Sequence, residues 1–311
     1  MAVSNDKHKY HLGWMLVATL GLAACGGGTG NNTGNGVGHI DLAITDAPID
    51  GAEQVVVTFT GVEIHSDLGV YTMDYASPKT IDLLALQGGQ RELLLENYEL
   101  VEGNHAWIRL KVNAEADGVM DSYIRINGAD YELRIPSGSK TGLKLNTPFA
   151  VTDGEQLDFT IDFDLRKSVH QPRGQTGPSG APVYYLRPTL RLVDTNESGV
   201  IAGQLDPQVF AGLTCSAPEL GYAVYLYEGA VTPDDVDGVD PDPITTAAVT
   251  LDAGSNYVYT LPFLAPGNYT LAATCVADLD ESDTDDAAVD FVGTVPVTVT
   301  AGTTTNHDFL P

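Results

Sequence analysis

From residue 39 onward the dominant pattern is alternation with period two. Sustained helical periodicity is scarce, so the chain reads as strands. In "VVVTFTGVEIH", Val55, Val57 and Phe59 share one face while Thr58 and Thr60 share the other. Gly61 then marks a bulge before Val62 and Ile64. "AWIRLKV" sends Ile108, Leu110 and Val112 inward and leaves Arg109 and Lys111 to solvent. "YIRINGADYELRI" predicts a hairpin turning at Asn127-Gly128. "LDFTIDFDL" sets Leu157, Phe159, Ile161, Phe163 and Leu165 against Asp158, Thr160, Asp162 and Asp164. One helix-like patch, "IDLLALQGG", predicts a turn or two stopped by Gly88-Gly89. "VYYLRPTLRLV" closes this half.

Polar "DTNES" at 194–198 marks a boundary, after which seven strand signals follow: "GVIAGQL", "GYAVYLY", "TAAVTL", "NYVYTL", "NYTLAATCV", "TVPVTV" and "TNHDFL". The expected fold is all-β, with two β-sandwich (immunoglobulin/prealbumin-like) domains over 39–194 and 197–311. If the strands of the second domain alternate up and down, the loops around 234–242 and 278–286 lie at opposite ends and share no site.

Charge divides at the same boundary. The chain holds 15 Lys+Arg against 42 Asp+Glu, net -27, and every basic residue lies before residue 192. Residues 192–311 hold 19 acids and neither Lys nor Arg. Nucleic acid is therefore excluded as a partner, because phosphate binding needs clustered cations.

The N-terminus has its own grammar. Lys7 and Lys9 precede an apolar run from Leu12 to Leu22, the length of a signal-peptide core and too short to span a bilayer. Leu22-Ala23-Ala24-Cys25 follows and resembles the lipobox of bacterial lipoproteins. The resemblance implies a signal peptide over 1–24 and an acylated Cys25 that holds the protein to a membrane. Gly26, at the position after the lipidated cysteine, favours the outer membrane in Gram-negative lipoproteins. Residues 25–38 then form a Gly/Asn-rich flexible tether. Two cysteines remain, Cys215 and Cys275, an even pair in an exported chain, which predicts a disulfide.

Two family resemblances follow from longer stretches. "LAITDAP", "VVVTFTGVEIH", "IDLLALQGG", "IPSGSKTGLKL", "FTIDFDLRKSV" and "YYLRPTLRL" resemble the DUF4382 family of bacterial lipoprotein domains. That implies a β-sandwich on a cell-envelope lipoprotein, with no catalytic residues to carry over. "GVIAGQL…GYAVYLYEGA…YVYTLPFLAPGNYTLAAT" is similar to carboxypeptidase-regulatory-like, prealbumin-type modules, which are mostly structural or ligand-binding.

Catalytic motifs are weak. Ser137, Lys140 and Gly142 mimic a Ser-x-x-Lys and a Lys-Thr-Gly that share one lysine in a single turn, unlike penicillin-recognising enzymes. Asp158, Asp162 and Asp164 read as a solvated, salt-bridged face in preference to a glycosidase pair. His65, His105 and His170 stand apart from any nucleophile motif, though a triad can still assemble in space. The acidic loops read first as a hydrated, charged surface; the alternative is a site for Ca²⁺, a hard ion with oxygen ligands, through Asp278, Asp280, Asp283 and Asp285. The expectation is a non-enzymatic, lipid-anchored envelope protein with a structural or binding role. A surface glycan- or protein-binding module using Trp107, Tyr184 or Tyr185 ranks second, and an envelope hydrolase third.

Overall fold

The computed structural model describes residues 36–311 apart from 50, 116, 137–141, 173, 175, 177–179, 188 and 283. Cys25, Ser137, Lys140 and Asp283 lie outside the described residues. The long strands of the first half are β1 (Val37–Ala47), β2 (Gln54–Ser66), β3 (Gly69–Asp82), β4 (Glu92–Val101) and β5 (Gly103–Asn113). Short strands follow: β6 (Tyr123–Ile126), β7 (Ala129–Arg134), β8 (Leu143–Leu145) and β9 (Phe149–Val151). Then come β10 (Gln156–Asp164), the single helical turn α1 (Leu165–Ser168), β11 (Val169–His170), β12 (Tyr184–Leu186) and β13 (Leu190–Asp194).

These strands make a sandwich. One sheet runs β13-β10-β1-β4; the other runs β11-β12-β7-β6-β2-β5-β8, with β3 on β2 and β9 on β5. Alternating side chains from both sheets meet in one core, where Phe59 and Phe163 contact edge to face at 6.4 Å. The Gly61 bulge appears as a register shift in the ladders of β2 with β3 and with β5. A Cβ there would stand 2.3 Å from the Met73 carbonyl oxygen, so only glycine fits. The β6–β7 hairpin turns on Asn127 and Gly128, both with positive φ, as a two-residue primed turn requires. "IDLLALQGG" yields one 3-10 turn, Leu83–Leu86, before the two glycines.

The second half contributes β14 (Gly199–Gln204), β15 (Ala223–Glu228), β16 (Thr245–Ala248), β17 (Thr250–Leu251), β18 (Tyr257–Leu264), β19 (Gly267–Thr274), β20 (Val292–Val299) and β21 (Thr304–Asn306). Two four-stranded sheets, β17-β18-β14-β21 and β16-β15-β19-β20, enclose a separate core. "TAAVTL" divides between the sheets, because the chain crosses from one to the other at buried Val249. The disulfide between Cys215 and Cys275 is present, with Cα atoms 5.1 Å apart.

The prediction that the two acidic loops lie at opposite ends fails. β15 and β19 do place the loop origins at opposite ends of the sheet. Yet Tyr225 and Tyr227 sit on the outer face of that sheet, and this apolar surface must be covered. The 229–244 loop folds back across it and buries Val236 against both tyrosines, with Ala277 and Phe291. Covering the face carries the first acidic loop to the second.

Candidate functional site

The two sandwiches meet at α1. Asp164 caps that turn, its Oδ1 accepting from the Lys167 amide at 3.2 Å. The turn projects two cations into a sandwich that has none of its own. Arg166 donates from Nη1 to the Ala277 carbonyl at 2.7 Å and lies over the Tyr225 ring at 5.3 Å. Lys167 pairs with Asp242.

Beside this junction opens a cleft of about 720 Å³, within the range of small-ligand sites. Ile124 and Ile126 of β6, with Val169 and Tyr184, form its apolar floor on the first sandwich. His170, Gln171 and Arg166 supply polar groups from the same side; Glu281, Ser282 and Thr284 face them from the second sandwich. Ser282 Oγ lies 3.0 Å from His170 Nδ1. Of the three histidines singled out by sequence, only His170 lines this cleft. His105 is fully buried, stacked on Phe149 at 4.9 Å, and burial holds its pKa below the ordinary value.

The acids reorganise relative to expectation. Asp235, Asp280 and Asp286 bring carboxylate oxygens within 4.8 Å of one another, joining both loops. The Asp286 amide donates to Asp235 at 2.7 Å; the Tyr225 hydroxyl and the Val236 amide both donate to Asp280. Burial pushes the Asp280 pKa up, and Arg166 pulls it down. Asp278 and Asp285 are exposed and stand outside this trio. Sequence alone missed Asp235 and Asp286 as neighbours, since only the fold-back of the first loop joins them.

A second acidic group sits where β1 and β10 run parallel. Asp162 and Asp164 are 6% and 4% exposed, so this face is not solvated as expected. Asp162 is paired with Arg191 at 2.6 Å, and Asp158, further along, with Arg91. Asp46 is buried, with the Leu165 amide as the one group that favours its charged form. Burial, then Asp162, Asp164 and Asp82, raise its pKa well above the carboxylate range. Asp164 is raised to about 6, chiefly by burial.

The aromatic residues proposed as a glycan platform are largely occupied. Tyr184 is 7% exposed and belongs to the core. Trp107 stacks on His65 at 5.2 Å, with Arg109 and Lys144 within 4.8 Å and 4.6 Å of its ring.

No curated protein matches the chain. Solved structures that align include the TIE protein of Bacillus anthracis, at 9% identity and TM-score 0.20, covering 88% of this chain and 34% of that one. The minor pilin GBS52 of Streptococcus agalactiae aligns at 12% identity and TM-score 0.19, covering 86% and 94%. The fimbrial anchor protein Mfa2 of Porphyromonas gingivalis aligns at 12% and 0.18, covering 83% and 82%. The chain spans about a third of the TIE protein and about a quarter of a leucine-rich repeat protein from Bacteroides thetaiotaomicron. Superpositions this loose carry no argument about activity. The sequence match is more informative: residues 37–188, nearly the whole first sandwich, match the model of the family described as Domain of unknown function (DUF4382).

Proposed function

We propose that the protein is a lipid-tethered binding protein of the bacterial cell envelope, and not an enzyme. The leader over 1–24, Cys25 and the Gly/Asn tether support the anchoring, and Gly26 favours the outer membrane. The observation that carries the binding role is the cleft of about 720 Å³ between the sandwiches, apolar on its floor and polar on its rim. Such a cleft takes a ligand with an apolar body and a few hydrogen-bonding groups, as a peptide segment offers. A stacked sugar is less well served, because cations already cover Trp107 and Tyr184 is buried. The prealbumin-type resemblance of the second sandwich agrees with a ligand-binding module.

The test is a peptide- and glycan-array screen of the whole secreted chain bearing Cys25→Ser, followed by the cleft-filling variant Ala52→Trp. Binding to a peptide that Ala52→Trp abolishes supports the assignment. Binding that survives Ala52→Trp moves the site elsewhere. The Ser282–His170 contact favours one other reading, an ester or amide hydrolase. Turnover of an activated ester that disappears in Ser282→Ala would replace the binding role with that one.

A further inference from the structure

The tether enters the first sandwich at one particular end. The Gly36 carbonyl accepts from the Glu102 amide at 2.7 Å, in the β4–β5 turn. The Asp67 amide, in the β2–β3 turn, donates to the Asn104 carbonyl at 3.3 Å. Tether entry and the β2–β3 turn therefore belong to the same end. That turn exposes two aliphatic side chains beside Asp67: Leu68 is 64% and Val70 50% exposed.

Behind the turn, strand pairing sets Val70 opposite His65 and His65 opposite Trp107, so all three share one outward face. One rung further in, Glu63 faces Arg109 and Arg109 faces Lys144. Read inward from the tip, the face presents aliphatic, then aromatic, then cationic side chains. Acyl chains, interface and headgroup phosphates follow one another in that same order at a bilayer surface.

We propose that this end of the first sandwich docks on the lipid surface that holds the anchor. Leu68 and Val70 enter the acyl boundary, Trp107 sits at the interface, and Arg109 and Lys144 reach the phosphates. The proposal rests on the Cys25 anchor. Ten residues separate Cys25 from Gly36, a reach of roughly 20 Å. At that range the tether makes docking intramolecular, with an effective concentration near millimolar, so a weak contact suffices. Acids oppose it: Asp67, Glu102 and Asp153 share this end, and Glu63 neutralises Arg109 at 2.7 Å. Apolar insertion is therefore the driving term, and zwitterionic lipid is preferred over anionic lipid. β1, at about 3.3 Å per residue, puts the cleft roughly 35 Å from the docked end, facing water.

The chain has two tryptophans, and Trp14 leaves with the leader, so Trp107 is the sole indole of the processed protein. The acylated full chain is reconstituted in phosphatidylcholine vesicles with and without acyl-brominated lipid, which quenches indole at the membrane. Flotation reads anchoring; quenching reads docking. The expected result is at least twofold quenching of Trp107. The double variant Leu68→Ser, Val70→Ser should lose it, with flotation and melting unchanged, and anionic lipid should weaken it. Protein that floats with Trp107 unquenched, or a double variant quenched like wild type, overturns docking alone. Protein that does not float overturns the anchor, and docking with it.

Discussion

Arg166 of the first sandwich donates to the Ala277 carbonyl of the second at 2.7 Å, with both residues almost wholly buried. The second sandwich carries no Lys or Arg, so this guanidinium and Lys167 are cations borrowed across the junction. Arg166 also lies over Tyr225 and beside Asp280. Arg166→Ala removes the charged donor from the buried Ala277 carbonyl, which keeps only the Asp280 amide, and leaves Asp280 without its nearby cation. A loss of roughly 3–5 kcal/mol is expected in denaturant unfolding. Arg166→Lys should recover only part, since an ammonium cannot reproduce the planar fork. A loss below 1 kcal/mol would mean that packing alone holds the junction.

The buried acids predict a pH dependence. Asp164 has its pKa raised from 3.8 to about 6, which corresponds to roughly 3 kcal/mol. An acid raised on folding binds its proton more tightly in the folded state. Its contribution is fully present below 3.8 and is lost as pH rises through about 6. Asp46 acts in the same direction, while Lys167 and Arg166 partly offset the effect at Asp164. His105 and His307, lowered by burial, pull the other way below 6.5. Comparison with Asp164→Asn isolates the acid. The variant should melt higher than wild type at pH 7.5, and the gap should shrink to about half by pH 5 and close only below 3.8. A gap that widens on acidification contradicts this assignment.

Local grammar made the first sandwich legible. The alternation of Ile108, Leu110 and Val112, the Gly61 bulge and the Asn127-Gly128 turn each follow from near neighbours, and the ladders agree. Cys215 and Cys275 were readable because compartment and parity constrain a lone pair. The cleft was not readable. Its two walls come from Ile124 and Ser282, more than 150 residues apart, and no local pattern encodes their approach. The acids failed for a different reason. Alternation in Asp158, Asp162 and Asp164 says which side a residue faces, but not that a second sandwich covers that side. Asp162 lines the junction with Thr245 and Thr246, which explains its burial.

The disulfide closes a loop of 60 residues around β15 to β19. In the chain-entropy model such a closure contributes roughly 4 kcal/mol by restricting the unfolded chain. Cys215→Ser, Cys275→Ser should lower stability by about that amount while the strands of the second sandwich remain. Thiol titration of unreduced wild type should find neither residue free. Two reactive thiols, or an unchanged melting temperature in the double variant, would refute it.

The acidic loops give the last prediction. Asp235, Asp280 and Asp286 crowd their carboxylates within 4.8 Å, with Arg166 as a cation acting on Asp280. A cation that bridges them in the folded state stabilises by mass action. Calcium fits such a set better than magnesium, because it tolerates irregular oxygen geometry and sheds water more readily. With a dissociation constant near 10⁻³ M, typical of weak extracellular sites, 10 mM calcium contributes about 1.4 kcal/mol. The whole chain should therefore melt higher in calcium than in magnesium or sodium at matched ionic strength. Asp286→Asn should remove the excess, because it deletes one carboxylate and keeps the backbone amide bonded to Asp235. Asp285→Asn, at an exposed acid outside the trio, should leave it intact. An equal rise in all three salts would mean screening of a strongly negative sandwich, and the acids would then be a hydrated surface.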